Sequence, residues 1–494
     1  MPIYTSREYF RSDEEMNIIK FVPPKWKTYL RYALILPALV LLGAIIAIYA
    51  ESPILILPLL VALAFTTFTA LNIALYILVA SLPFSFRFIM ASGTEMQVPT
   101  EPLLGIMAVA LILRWIILGS KGIHLRFPLR YPMLLYAAGV CLSLLNTTHL
   151  YASLKGSFRA LTYMMLSVVV FNVITDRQRL KRFFITSMIP ASIAVGWTAI
   201  FLADRIKMWR WSSAYDGLPF TSYAHYGSFV MVIMLVLVAR AVYDKGIYDR
   251  VAWNILLGFY GIALCFCYSR GVWLAFILAM GFLMIQRSEG LKGLTSKKVF
   301  IGGGIVIFFL ILLGIPQISN VIISRANTIL SLSYGSNRER LLRWGTAFSM
   351  FMKNPILGAG YGSFAFSFIN DPAILGAKSR FGMGAHSEYL QVLAETGIIG
   401  FAGWVWVIIS FFLYGFKLLQ RLSPISGNTS ETRVLLWRSL AIGIMSAEFA
   451  LLTHFLVNNL VQSYIVGVPF WLLMGLLPAI GNIAENENQK GDNA

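Results

Sequence analysis

Charge is what this chain has least of. Asp, Glu, Lys and Arg make up 13% of its 494 residues, where a soluble domain carries about 25%, and mean hydropathy is +0.73. An ordinary soluble globular protein is excluded, and a polytopic membrane protein is left. Cysteine is scarcer still: Cys141, Cys265 and Cys267 all lie in apolar runs, their number is odd and none forms a CxxC. That argues against a disulfide framework and against a thiolate metal site. The first 29 residues are polar and of mixed charge, unlike a cleavable signal peptide, so the first apolar run is expected to serve as its own targeting signal.

What charge there is leans one way, to a formal +18. The basic residues sit in short clusters between apolar runs. They read as topology signals and contacts to anionic lipid, not as a nucleic-acid surface. A membrane span needs about 20 apolar residues. Spans are expected near 30–50, 53–69, 70–86, 100–118, 131–146, 154–174, 182–202, 219–240, 251–268, 270–286, 299–318, 397–417, 436–458 and 462–482. Pro53, Pro58 and Pro83 punctuate 53–86, so the count is 12 to 14. The expected fold class is all-α: a polytopic helical bundle with one large extracytoplasmic loop that contains short helices. With both termini inside, 26 of the 40 Lys and Arg fall on inner segments, the bias that fixes topology. The chain then divides into a cytoplasmic segment 1–29, a transmembrane bundle 30–318, an outer loop 319–396, C-terminal helices 397–482 and a cytoplasmic tail 483–494, polar and expected to be disordered.

The outer loop goes against the charge rule. It holds Arg325, Arg338, Arg340, Arg343, Lys353, Lys378 and Arg380. Either an anionic ligand binds there, or the loop is long enough to escape the rule. Asn337 to Lys353 reads as a helix capped by Ser336 or Asn337 and stopped by Pro355. Leu341, Leu342, Gly345, Phe348 and Met352 recur at helical spacing, which lays it on the membrane or on the bundle. Gly358, Gly360 and Gly362 follow within five residues; they either make tight turns or let backbone N–H groups approach a ligand.

The loop closes with Ala385-His386-Ser387-Glu388-Tyr389-Leu390-Gln391, where polar chain meets the start of a helix. The positive end of a helix dipole disfavours imidazolium, so His386 is expected to be neutral and able to accept a proton. At about 100° per residue, Glu388, Gln391 and Glu395 form a stripe on another face, so any partner that orients the imidazole comes from elsewhere in the chain. Gly397 caps this helix before the next span. Arg270, in the hairpin Tyr268-Ser269-Arg270-Gly271, either snorkels to headgroups or uses its planar fork on phosphate oxygens. Arg205, Lys207 and Arg210 beside Trp209 and Trp211 suit an interfacial belt or a sugar-binding rim. His124 belongs to a basic inner loop, His149 and His225 to outer helix ends, and Glu448 and His454 to one span. No outer loop contains DxD or a cluster of His, Asp and Glu, so no metal and no cofactor is expected.

The order of these features resembles the bacterial O-antigen ligase and O-antigen polymerase family: a Ser-Arg-Gly hairpin, a basic helix running into Asn354-Pro355-Ile356-Leu357-Gly358-Ala359-Gly360, then His386-Ser387-Glu388-Tyr389-Leu390-Gln391 and Glu395-Thr396-Gly397. The likeness covers roughly 255–400. It implies an inverting, metal-independent membrane glycosyltransferase that moves a glycan from an undecaprenyl pyrophosphate carrier to an acceptor hydroxyl outside the plasma membrane. On that resemblance His386 is the catalytic residue, and Arg270, Arg338, Arg340 and Arg343 contact the pyrophosphate. Arg205, Arg210, Glu388, Tyr389, Gln391 and Glu395 are further candidates. Many members have Asn where this chain has Ser387. The implied partners are the lipid-linked donor, a glycan, lipid or protein acceptor, and membrane lipids. Rival readings are a polymerase of the same family, a lipid-glycan transporter without chemistry, and an envelope scaffold.

Overall fold

The structure is a computed structural model that describes residues 66–89, 95–118, 127–207, 220, 222–243, 247–267, 269–287, 335–369, 384–422 and 431–491. The chain divides into Met1–Ala62 and Leu63–Ala494, and every described residue lies in the second unit. The spans expected at 30–50 and 299–318, most of 53–69, and Arg210, His124, Arg325, Lys378 and Arg380 lie outside the described residues.

The fold is all-helical apart from one small hairpin. The described helices are α1 (Leu71–Ser81), α2 (Thr100–Leu118), α3 (Arg130–Leu142), α4 (Leu150–Val173), α5 (Arg177–Lys207), α6 (Tyr223–Tyr243), α7 (Ile247–Cys265), α8 (Arg270–Arg287), α9 (Gly335–Lys353), α10 (Phe364–Ile369), α11 (Glu388–Arg421), α12 (Glu431–Phe455) and α13 (Tyr464–Gly491). Seven of them are long and apolar enough to cross a membrane: α2, α4, α5, α6, α11, α12 and α13. Leu71–Phe84, Trp253–Cys265 and Arg270–Gln286 are shorter and apolar.

The helix expected over 70–86 is cut short. Pro83 enters a 3-10 turn, Leu82–Phe84, and the chain then forms strands β1 (Phe86–Ile89) and β2 (Glu95–Val98), paired antiparallel with Phe86 opposite Val98. Proline lacks the amide hydrogen that would continue the helix. The alternation Phe86-Arg87-Phe88 suits a half-buried strand better than a helix.

The core is a bundle in which α12 packs along α6 and α8, α13 along α4, and α11 along α3. Small residues allow the closest approach: a Cβ on Gly139 of α3 would overlap the backbone of Gly400 in α11. Such contacts maximise dispersion where lipid offers no hydrophobic drive for helices to associate. The innermost helix is α13, with 94% of its apolar window buried. Its far end corrects the expected disordered tail. The helix runs on through Ala484 to Gly491, with Glu485 paired to Arg421 at 2.6 Å and Glu487 accepting from Trp437 Nε1 at 3.2 Å.

α9 occupies the expected loop helix, but its apolar stripe faces outward. Leu341, Leu342, Phe348 and Met352 are exposed, whereas Arg343, Thr346, Ala347 and Met350 are buried against the neighbouring chain. The choice between membrane and bundle for that stripe therefore falls away from the described bundle.

Candidate functional site

His386 stands on the junction between loop and helix, and four separate anchors fix that junction. Ser387 caps the next helix, its hydroxyl accepting from the Leu390 N–H. The Gln391 carboxamide reaches back and its Oε1 accepts from the Ala385 N–H at 3.0 Å. Asn459, from the turn between α12 and α13, accepts the His386 N–H at 3.0 Å. Arg343 donates to the Gly384 carbonyl at 3.1 Å. These bonds hold His386 at φ +53, a left-handed conformation that costs a non-glycine residue about 1–3 kcal/mol and persists only where the surroundings impose it.

The two glutamates on this helix are buried clasps. Glu388 Oε2 accepts from the backbone N–H of Leu460 at 2.9 Å and of Val461 at 3.1 Å. Glu395 Oε1 accepts from the Phe364 N–H at 3.1 Å and from Gln391 Nε2 at 3.4 Å, while Oε2 accepts from Gln462 Nε2 at 3.0 Å. Tyr389 donates its hydroxyl to the Leu452 carbonyl at 3.1 Å. Glu388, Tyr389, Gln391 and Glu395 therefore tie the helix to the start of α13, to α10 and to α12.

The glycine run makes turns. Gly358, Gly360 and Gly362 all have positive φ. The N–H of Ala359 donates to the Ala394 carbonyl and that of Gly360 to the Glu395 carbonyl, each at 3.0 Å. The Tyr361 N–H donates to Ser143 Oγ at 3.1 Å. These amides meet protein acceptors rather than open solvent, and two of them cap the helix that ends at Gly397. Gly397 itself lies at φ +62, ψ −165, non-helical inside α11. A Cβ there would overlap the Ile356 carbonyl. The expected break is thus a kink braced by the glycine loop.

The arginines differ in their surroundings. Arg343 is fully buried. Its guanidinium pairs with Glu339 Oε1 at 2.7 Å, lies 4.3 Å from the centre of the Phe368 ring, and donates to the Gly384 carbonyl. Arg340 is half-buried, with Nε lacking any hydrogen-bond partner and one Asn337 contact at 3.4 Å. Its pKa is lowered, first by burial and then by the charge of Arg270, so guanidiniums from two distant segments act on each other. Arg338 is exposed on the same helix, and Arg205 lies in α5 near its end.

The His386 imidazole is held well below its usual value, at about 4, by burial first, then by Arg343 and Arg340. It is neutral at physiological pH, as the sequence suggests, but burial and guanidiniums are the cause. Among the described residues no three His, Cys, Asp or Glu side chains gather as metal ligands would.

Residues 255–405 match the sequence profile of O-antigen ligase, and this stretch includes Arg270, all of α9 and His386. Over that stretch, less than half of the chain, the protein is similar to the O-antigen ligase family. No curated protein matches it as a relative. It is a multi-pass membrane protein with an O-antigen ligase/polymerase-like role in glycan processing. Sequence reasoning missed three carboxamides that lie near this junction from outside the matched stretch. Asn458, Asn459 and Gln462 sit in the turn after α12, and the signal was available: three carboxamides within five residues at the end of an apolar run. Asn459 is the residue of this turn that accepts the His386 N–H. The His454 ring meets Asn458 Nδ2 at 2.8 Å and Ser228 Oγ at 2.8 Å. Of the remaining histidines, His149 stacks on Phe366 at 4.6 Å and His225 bonds Ser222 Oγ through Nδ1 at 2.6 Å.

Proposed function

We propose that this protein transfers a glycan from an undecaprenyl pyrophosphate-linked donor to an acceptor hydroxyl, with inversion and without a metal. The observation that carries this reading is that Arg340 lies within electrostatic reach of both Arg270 and a neutral His386. An anion drawn between the arginines would bring its sugar beside a group with a free lone pair.

In the reaction, His386 takes the proton of the acceptor hydroxyl while that oxygen bonds to the anomeric carbon. The bond from that carbon to the lipid pyrophosphate breaks, and its electron pair stays on the pyrophosphate oxygen. Arg270, Arg340 and the exposed Arg338 stabilise the charge that develops there. Arg343 acts differently, holding the Gly384 carbonyl and so the position of His386. Positioning of this kind converts a two-body encounter into a near-attack geometry. The reading puts the loop end on the outer face of a bacterial plasma membrane and both termini in the cytoplasm. The outward apolar stripe of α9, with Leu341, Phe348 and Met352, would then lie in the lipid interface.

A base near pKa 4 is weak for this task, and the site suggests its own remedy. Arg340, one of the two guanidiniums that lower His386, is among those a pyrophosphate would neutralise, so donor binding raises the basicity of His386 when the base is needed. The test is a transfer assay in proteoliposomes with a lipid pyrophosphate-linked oligosaccharide, an acceptor and a chelator. Product together with free lipid pyrophosphate supports the proposal, and product length separates ligation from polymerisation. Movement of the donor across the membrane with no covalent product would contradict it.

A further inference from the structure

We propose that Gln391 is a positioning residue for the transfer: its carboxamide, set by Glu395, holds the peptide that leads into His386 and so the place from which the imidazole works. This rests on the reading of His386 as the base.

Gln391 is buried in the first turn of α11. Its Oε1 lies 3.0 Å from the Ala385 nitrogen, and its Nε2 lies 3.4 Å from Glu395 Oε1. The first neighbour fixes the orientation of the amide. A backbone N–H only donates, so it must meet the carboxamide oxygen, and the NH2 must then face the carboxyl group. Turning the amide over would set NH2 against N–H and oxygen against oxygen. Glu395 does not depend on Gln391 for its own place, because it also accepts from the Phe364 N–H at 3.1 Å and from Gln462 Nε2 at 3.0 Å. It is a fixed stop against which the glutamine amide is set.

The peptide that Gln391 grips is held at both ends. Its carbonyl, on Gly384, accepts from Arg343 at 3.1 Å, and its N–H, on Ala385, goes to Gln391. The next N–H, that of His386, goes to Asn459 at 3.0 Å. The fit leaves no slack, for a Cβ on Gly384 would overlap both Gln391 Oε1 and Asn459 Nδ2. Without Gln391 the Gly384–Ala385 peptide plane can turn about the Arg343 bond, and the Cα of His386, one residue on, swings with it. A shift of about 1 Å costs on the order of 100-fold where reacting atoms must meet. Ser387 bonds forward into the helix, to Leu390. Gln391 bonds backward, past His386, and so sets the base rather than the helix.

The experiment compares wild type, Gln391→Met and Gln391→Glu in full-length protein, by transfer against pH, melting temperature and hydrogen exchange over Ala385 and His386. Methionine keeps the length of the side chain and loses both hydrogen bonds. It should lower kcat by about 10–100-fold with donor KM unchanged. Glutamate keeps an acceptor for Ala385 but sets a second carboxyl group against Glu395, and the two hold their places only by sharing a proton. Of the ionisable groups that act on Glu395, Glu388 lies on the same helix, Tyr136 on α3 and Tyr361 in the glycine loop, and none is a cation; Arg343 stands across the Gly384–Ala385 peptide. As a fraction of wild type at each pH, transfer by Gln391→Glu should therefore rise by about 10-fold or more between about pH 8 and pH 5. A methionine variant with full kcat would overturn the assignment. So would a glutamate variant whose activity relative to wild type is flat across that range. Should Gln391→Met lose its fold, the Gln391→Glu profile decides. Should wild type transfer no glycan at all, the base reading fails and hydrogen exchange decides, read against wild type at the same pH. Faster exchange in Gln391→Met, slowed again in Gln391→Glu at low pH, supports the grip on this peptide, and unchanged exchange overturns it.

Discussion

At the end of the bundle away from His386, the helices are joined by exposed or peripheral contacts. Arg421 meets Glu485 with both side chains about half in solvent and Trp437 reaches Glu487, with Arg438, donating to the Leu419 carbonyl, a buried exception. At the His386 end the joins are buried carboxylates and carboxamides that accept from backbone N–H groups of other segments: Glu388 on Leu460 and Val461, Glu395 on Phe364, Gln391 on Ala385, Asn459 on His386. The first kind is screened by water and contributes little. In the second, the donors are buried or part-buried, so removing an acceptor exposes a desolvation cost. Geometry at the His386 end is correspondingly stiff, as a site built on loops requires.

Substitutions at the two ends should break this symmetry to very different extents. The largest effect is expected from His386→Ala, a loss of about 10²–10⁴ in kcat with melting temperature nearly unchanged, read by transfer assay and thermal unfolding. Next comes Gly397→Ala. A side chain at φ +62, ψ −165 meets the Ile356 carbonyl and should destabilise by about 3 kcal/mol or more, seen as a lower melting temperature in detergent. Glu395→Ala leaves the Phe364 N–H and the Gln462 amide without acceptors and should cost about 2–4 kcal/mol, measured the same way and accompanied by reduced transfer.

A subtler effect concerns pH. The His386 value of about 4, against 6.5 in a free imidazole, means the unfolded chain takes up a proton before the folded one does. The contribution of this group to stability is complete above pH 6.5 and is lost as pH falls toward 4. Kinetically, the acid limb of kcat/KM reports donor-free enzyme and that of kcat the bound complex. The kcat limb should lie higher, by about one pH unit or more, because bound pyrophosphate offsets the nearby guanidiniums; coincident limbs would remove the coupling. Smallest of all, Arg421→Ala should change stability by at most about 1 kcal/mol and leave transfer unaltered, which sharpens the contrast between the ends.

Much of this was legible in the chain. Long apolar runs mark the spans because bilayer thickness fixes their length, and α2 to α8 and α11 to α13 fall where those runs lie. Gly397 announced the break, and Pro355 the stop after α9. His386 at a polar-to-helical junction was readable too, as was the direction of its shift. The hairpin Phe86–Ile89 was not, since four residues give too few periods to separate strand from a continued helix. Arg343 looked like its neighbours Arg338 and Arg340, yet only folding decides that it lies under Phe368 with Glu339. Asn459 escaped because its importance is a contact across about 70 residues of sequence with His386, and local patterns carry no such information. Likewise the charged tail after Ala484 reads as disordered in isolation, while its order comes from Arg421 and Trp437 on other helices.

The central claim is that His386 is the proton acceptor of a glycan transfer. The most direct measurement is single-turnover transfer in proteoliposomes from a lipid pyrophosphate-linked oligosaccharide, comparing wild type with His386→Ala at saturating donor. The account expects product and released lipid pyrophosphate from wild type, with a fall of at least about 100-fold in the variant while donor binding is retained. Equal rates from the two proteins would contradict it and leave His386 as a structural residue of the loop.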